Sequence, residues 1–470
     1  MELMIPLVSR AGEPLYEQIY EYIKKEIKEG GLKAQTRLPS TRILAENLKV
    51  SRSTTQLAYD QLASEGYIEA VPCKGYYVAR IDGLVDVGGQ GETVSLVQER
   101  EEERESWIVD FSPRGIDLDS FPFHTWRKLS RNTLIDDNKE MFLSGDRQGE
   151  KALRKAIGDY LHSARGVLCR EDQNNVGAGS EYLLMLLNLL LDPAGSVAME
   201  NPSYSQAYRV ITGLGRKVIP VKMDAQGMRP DALEETGAGT AYIMPSHQYP
   251  TGIVMPVRRR QELLAWAGRK AGRYLIEDDY DSEFRYKGKP VPALQGMDTG
   301  EKVIYLGTFS KSIAPAIRIS YMVLPDPLLE EYRKKAGFYA STVSRIDQNI
   351  LYRFLVDGFY ERHLNRMRAI YRAKHDRLIG ELKRLEKDFF IRGEYAGLHL
   401  LLTARDKRPE EVLVRQAKEK GIRVYGLSSW LIGSEEMPQE WKYTVALGYA
   451  NLSEQEIEKG VRLLEQAWIV

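Results

Sequence analysis

Cysteine is almost missing from this chain: Cys73 and Cys169 are the only two in 470 residues. Neither stands in metal-ligand spacing, which argues against both a disulfide framework and a structural zinc site, and both read as structural. Long apolar runs are missing too. Nothing approaches the roughly 18 residues a membrane-spanning helix needs, and the opening "MELMIPLVSRAGE" lacks the basic-then-apolar order of a secretion signal. Net charge is also absent, with basic and acidic residues at 66 each. No global field therefore gathers nucleic acid or membrane, and any contact with DNA must be local. There is no low-complexity tract and no internal repeat. A cytoplasmic protein without a membrane partner is expected, and at 470 residues it is too long for one core.

Residues 10–80 read as a compact unit. "PLYEQIYEYIKKEIKEG" carries Leu15, Ile19, Tyr22, Ile23 and Ile27 on a helical stripe ended by Gly30 and Gly31. "PSTRILAENL" starts at a cap, Ser40, and "SRSTTQLAYDQLASEGYI" restarts at Ser51 with Leu57, Ala58 and Leu62 inward. Two short helices so closely spaced predict a helix-turn-helix. The alternating stretch around Lys74-Gly75 predicts a two-stranded wing. Residues 81–106, rich in glycine and then glutamate, bury too little to order themselves and read as a flexible linker. Over 107–470, short apolar runs ("SVAM", "AYIM", "YLI", "VIYL") alternate with helical stretches, predicting an α/β domain on a mainly parallel sheet. Its last part, roughly 350–470, reads as a smaller lobe.

Each apolar run of that domain ends in a polar loop: "ENPSY", "PSHQYPTG", "EDDYDSEF" and "GTFSK". Loops at the carboxyl ends of parallel strands meet along one edge, where ligands bind. That gathers Tyr204, His247, Asp278, Tyr280, Thr308, Ser310 and Lys311 in one crevice. A lysine whose amine is kept neutral by burial condenses with an aldehyde. Asp278 could hold a protonated ring nitrogen and Tyr204 could stack on the ring. Arg318, Thr308, Ser310 and the glycine-bearing turn Ala178-Gly179-Ser180 could hold a phosphate. Together these are the binding needs of pyridoxal 5′-phosphate. His247 stands open between a proton-transfer role and a turn-stabilising one; Asp279 and Asp281 read as solvated loop carboxylates.

The motifs "LPSTRILAENLKVSRSTTQLAYDQLASEGY", "PSHQYPTG", "IEDDYDSEF" and "GTFSKSIAPAIRISYM", in this order, resemble the MocR group of bacterial regulators. In that group a GntR-type winged helix is fused to a fold-type I aminotransferase-like domain with large and small lobes. The resemblance implies that Lys311 bonds covalently to pyridoxal 5′-phosphate and that Asp278 pairs with its ring nitrogen. It also implies that Tyr280 contacts the ring hydroxyl, Tyr204 stacks on the ring, and Arg318, Thr308 and the 178–180 turn take the phosphate. It further implies a homodimer.

Over residues 1–80 there are 11 Lys or Arg against 10 Asp or Glu, too little for strong nonspecific binding to duplex. A recognition helix reads bases from its N-terminal residues, which nominates Ser51, Arg52, Ser53, Thr54 and Gln56. Arg37, Ser40, Arg42, Lys74 and Gly75 would flank them on phosphate or in the minor groove. A module so near neutrality implies a dimer on double-stranded DNA with paired half-sites.

Two function classes remain. One is a transcription regulator that senses pyridoxal 5′-phosphate or a small amine or amino-acid effector. The other is a working aminotransferase with an accessory DNA module. The winged helix favours the regulator. Two departures bear on the effector. The small-lobe arginine that holds a substrate carboxylate in aminotransferases corresponds to Ser429, and Asn451 stands where another might serve. Either Arg345 or Arg366 reaches in, or the cofactor is itself the signal, as in members of the group that govern vitamin B6 synthesis. Tyr249 also stands where aminotransferases place an asparagine against the ring hydroxyl, a change expected to impair catalysis more than binding.

Overall fold

Serine hydroxyls cap two of the three helices in the N-terminal unit. The computed structural model describes residues 3–7, 14–72, 74–80, 106–134, 139–286, 291–433, 438–439 and 441–469. Apart from Ser106, the expected linker lies outside these residues, as does Cys73. The chain divides into two units, Met1–Arg104 and Glu105–Val470.

In the first unit, helix α1 (Leu15–Lys28) buries Ile19, Tyr20, Ile23 and Ile27, the three-to-four-residue spacing of one helical face. Helix α2 (Thr41–Leu48) is capped by Ser40, which accepts from the Ile43 amide, and α3 (Arg52–Ser64) by Ser51, which accepts from Thr54. Strands β1 (Ile68–Val71) and β2 (Gly75–Val78) pair antiparallel as the wing. The buried Thr55 hydroxyl donates to the Thr41 carbonyl at 2.8 Å and ties α3 to α2. Two inward expectations fail. Leu15 is 38% and Leu57 55% exposed, because the buried positions of α3 are Thr55, Ala58, Tyr59 and Leu62, and Leu57 falls off that face.

The second unit opens with β3 (Val109–Asp110), α4 (Phe123–Thr133), α5 (Lys151–Arg165), β4 (Asn174–Gly177), α6 (Ser180–Leu190), β5 (Val197–Asn201), α7 (Ser205–Gly213) and β6 (Val218–Asp224). It continues through β7 (Gly227–Met228), α8 (Pro230–Glu235), β8 (Thr240–Ile243), α9 (Val257–Gly268), β9 (Tyr274–Asp279), β10 (Val303–Thr308) and β11 (Ser320–Val323). One sheet runs in the order β4-β11-β10-β9-β8-β5-β6-β7. Strands β6, β5, β8, β9 and β10 are parallel, while β11 runs antiparallel to both β10 and β4. The four apolar runs of the sequence are β5, β8, β9 and β10, and their carboxyl ends lie along one edge.

After α10 (Asp326–Lys335), α11 (Arg345–Val356) and α12 (Phe359–Leu382) comes the small lobe: β12 (Phe389–Arg392), β13 (His399–Ala404), α13 (Glu410–Glu419), β14 (Ile422–Arg423), β15 (Tyr425–Gly426), β16 (Thr444–Gly448) and α14 (Glu454–Trp468). Its antiparallel sheet is β12-β13-β16-β15. The lobe also takes in β3, which pairs parallel with β14, Val109 opposite Ile422. Val109 and Phe111 share a core with Leu400, Leu447, Ile457 and Val461. Among the described residues no helix is long and apolar enough to cross a membrane.

Leu62 is fully buried between α1, α3 and the wing. Leu62→Ala should cost the first unit about 2–5 kcal/mol. Hydrogen exchange on the full chain should show faster exchange across α1–α3 and unchanged protection in the large sheet.

Candidate functional site

Adjacent residues on a strand point to opposite faces, and this sorts the acids at the end of β9. Asp278 lies opposite Leu306 of β10, and Asp279 opposite Gly307. On one face Asp278 lines a cavity of about 290 Å³ together with Lys311, Tyr204, Tyr280, Thr308 and Ser310. Its carboxylate accepts a short hydrogen bond from the Tyr242 hydroxyl. Burial, opposed by that bond, pushes Asp278 up to about 7. On the other face Asp279 is buried against Arg165 of α5 at 2.8 Å and accepts from the Tyr305 hydroxyl at 2.5 Å. Asp281 is buried as well, 2.9 Å from His247 Nδ1. Neither carboxylate is solvated as expected, because partners distant in sequence meet them.

Lys311 follows the turn after β10. Its Nζ donates to the carbonyls of Arg114, at 3.0 Å, and Pro113, at 3.3 Å. Burial pulls its pKa down to about 8, with Asp281 opposing and Arg114 assisting. The amine is thus available as a base or nucleophile near neutral pH.

Lining the same cavity, α6 starts at Ser180 without a side-chain cap. Gly179 holds a positive φ of 92°, and a Cβ there would sit 2.4 Å from Arg318 Nη2, so glycine keeps this corner open. Arg318 donates to the Ala178 carbonyl at 3.2 Å and to Glu181 at 2.9 Å. Ser320 Oγ and the Ser310 amide both reach Thr308 Oγ1, at 2.9 and 3.1 Å. Free amides at a helix start, hydroxyls and a guanidinium form an anion site, where a phosphate would compete with Glu181 for Arg318.

His247 is the exception among the nominated residues. It does not line the cavity but sits beneath it, its Nδ1 edge 2.9 Å from both the Tyr280 hydroxyl and Asp281. It positions Tyr280 instead of facing a ligand. Ala178 likewise lends only backbone: its amide donates to Thr342 at 3.0 Å. The arginines considered for a carboxylate are elsewhere. Arg345 bonds Glu150 at 3.1 Å, Arg366 is exposed on α12, and neither lines the cavity. Tyr242, Ser320 and Arg114 escaped the sequence reading. For Tyr242 the signal was cross-strand: it lies opposite Ile276, so it shares a face with Asp278 two residues on.

In the first unit, Ser51, Arg52, Ser53 and Thr54 crowd the start of α3, with the Ser51 hydroxyl 2.7 Å from those of Ser53 and Thr54. Lys74 and Gly75 (φ 106°) form the turn of the wing, with Arg37 beside Gly75. Three nominated groups are engaged inside the fold: Ser40 in capping α2, Arg42 with Glu46 at 3.1 Å, and Gln56 with Asp60 and the Tyr76 hydroxyl at 2.8 and 3.1 Å.

Comparison with known proteins follows this division. The family "Bacterial regulatory proteins, gntR family" matches residues 15–78, and "Aminotransferase class I and II" matches residues 116–462. The probable rhizopine catabolism regulatory protein MocR of Rhizobium meliloti is 31% identical, over 99% of this chain and 96% of that one. The chain is a MocR-type transcription regulator. Other relatives of this MocR-type chain include the uncharacterized HTH-type regulator YdeL of Bacillus subtilis, 38% identical over 98% of this chain and 99% of YdeL. The pyridoxine biosynthesis regulator PdxR of Corynebacterium glutamicum is 30% identical over 92% of each chain. Among solved structures, the α-aminoadipate aminotransferase LysN of Thermus thermophilus, complexed with N-(5′-phosphopyridoxyl)-L-leucine, superposes with a TM-score of 0.66. It is 26% identical and covers 76% of this chain and 91% of its own.

Asp279→Asn should destabilise the second unit by about 3 kcal/mol, because it leaves the buried Arg165 charge without its counter-ion. Urea unfolding of the mutant beside the parent checks this.

Proposed function

We propose that this MocR-type regulator binds pyridoxal 5′-phosphate in the cavity at the carboxyl ends of β9 and β10 and adjusts its DNA binding to what occupies that cavity. The observation that carries this reading is the pairing of a half-buried amine and a buried carboxylate, Lys311 and Asp278, in one small cavity that also holds an anion corner. Each group fits. The Asp278 carboxylate, raised by burial, has no cationic partner among the described residues, and a protonated ring nitrogen would supply one. Gly179, Ser180, Thr308, Ser310 and Arg318 would take a phosphate, Tyr204 would cover the ring, and Tyr280, steadied by His247, would meet the ring hydroxyl. When bound, pyridoxal 5′-phosphate supplies an aldehyde that exchanges one amine for another.

The chain's own residues do the rest. Lys311 supplies a neutral amine and can carry a proton at Nζ. Its hydrogen bonds run to Pro113 and Arg114, on a segment whose strand β3 belongs to the small lobe. Taking that amine out of its hydrogen bonds releases a tie between the lobes, and lobe closure in a homodimer would alter the spacing of two winged helices on paired half-sites.

Because the neutral amine is the reactive form, trapping should rise as pH climbs through the folded pKa. With pyridoxal 5′-phosphate and borohydride, label at residue 311 should increase with a midpoint near pH 8, where burial has placed the amine, and Lys311→Ala should take up none. No label at residue 311 would overturn the reading. Full-length protein should bind operator fragments selected from random DNA with an affinity that changes on adding pyridoxal 5′-phosphate or an amine; an affinity indifferent to every ligand refutes sensing. Sustained turnover of an amino acid with a keto acid would favour the aminotransferase instead.

On the same fragments, Arg52→Ala should lower affinity about 10-fold or more by removing a base contact. Lys74→Ala should weaken all sequences alike and reduce the salt slope by about 1. Salt-dependent gel shifts separate the two effects.

A further inference from the structure

The small-lobe arginine expected for a carboxylate is absent at both candidate positions. Ser429 is exposed on the turn Leu427–Trp430 and does not line the cavity. Asn451 does something different: its side-chain amide donates to the Asp110 carbonyl at 3.1 Å, and it packs so tightly on Gly115 that a Cβ there would lie 2.3 Å from its Oδ1. Asn451 therefore braces the loop that follows β3. That loop carries Arg114.

We propose that Arg114 and Tyr249 form an anion subsite that takes the carboxylate of an amine-bearing effector, in the cavity they share with Lys311. The proposal rests on the cofactor reading above and adds to it the chemical class of the second ligand. Four observations carry it. Arg114 lines the same cavity as Lys311 and Asp278. Its backbone carbonyl accepts from Lys311 Nζ, so the loop holds the arginine at a fixed place relative to the reactive amine. Among the described residues no carboxylate pairs with its guanidinium, whereas Arg318, across the cavity, has Glu181.

The fourth observation is Tyr249. Its hydroxyl is buried and makes no hydrogen bond of ordinary geometry, although it lines the cavity and has the Arg114 guanidinium and Trp430 close by. Burial holds this phenol protonated, so it offers a donor. A buried donor without an acceptor is costly, and a ligand oxygen would relieve the cost. One planar guanidinium and one phenol present donors to both oxygens of a carboxylate. The ring that stands in place of an asparagine thus acquires a role in selecting the ligand. The loop is also held from below: Gly448 donates to the Phe111 carbonyl at 2.8 Å, and a Cβ on Gly448 would lie 2.1 Å from the Ser112 carbonyl oxygen.

The test uses the full-length protein loaded with pyridoxal 5′-phosphate and matched ligand pairs in which a methyl replaces the carboxylate: glycine and ethylamine, L-alanine and isopropylamine, β-alanine and propylamine, 4-aminobutyrate and butylamine. In at least one pair the amino acid should shift the cofactor's absorbance at a concentration about 10-fold or more below that of its matched amine, the factor expected for a charge-assisted bidentate contact. Arg114→Gln should bring that ratio to near 1, Arg114→Lys should restore part of it, and Tyr249→Phe should reduce it severalfold. Propionate, a carboxylate without an amine, should raise the amino-acid concentration the parent protein requires. This arm stands even where a variant fails to load. No preference in any pair, a preference that survives Arg114→Gln, or no competition by propionate overturns the subsite. A parent protein that shows no absorbance band and no label at Lys311 fails earlier, at the cofactor reading itself.

Discussion

Two neighbouring aspartates at the end of one strand cannot face the same side of a sheet, and the site follows from that constraint. The alternation along β9 sends Asp278 into the cavity and Asp279 toward α5. Among the described residues the first acid has a phenol as its one close hydrogen-bond donor, and its charge is suppressed. The second is neutralised by a buried guanidinium and braced by Tyr305. One faces the cavity and the other holds the sheet to the helix behind it. Exchanging their roles would need a one-residue slip, which would turn every other side chain of the strand as well.

Three parts of the fold meet at the cavity. The large sheet supplies Asp278 and Thr308 from strand ends, α6 supplies an open helix start, and the loop after β3 supplies the carbonyls that hold Lys311. Only the last belongs to the small lobe, through β3 and β14. The Lys311 amine is therefore hydrogen-bonded across a lobe boundary, with its charge weakened by burial and by Arg114.

Much of this was legible in the sequence. Asp278 stands at the end of an apolar run and Lys311, Tyr204 and Arg318 follow such runs, and parallel-sheet topology brings those strand ends and loops together. The helix pair of the first unit was legible from its serine caps. The remainder depended on contacts between distant residues. Asp279 and Asp281 looked like solvated loop acids because Arg165 and His247 are far away along the chain. His247 shares a motif with cavity residues but turns beneath them, drawn by Asp281. Strand β3 has only two residues, too few for any periodicity, so its membership in the small lobe left no trace, and Arg114 went unnoticed with it.

The position of β3 has a mechanical consequence. The chain leaving the DNA-reading unit enters the larger one through this strand, and directly after it come the two carbonyls that hold the Lys311 amine. Among the described residues no helix separates β3 from those carbonyls, so a load on the strand would reach the small-lobe sheet and the amine's tether in series. A load on β3 and a change in the amine's bonding would act on the same few atoms, so each would be felt by the other.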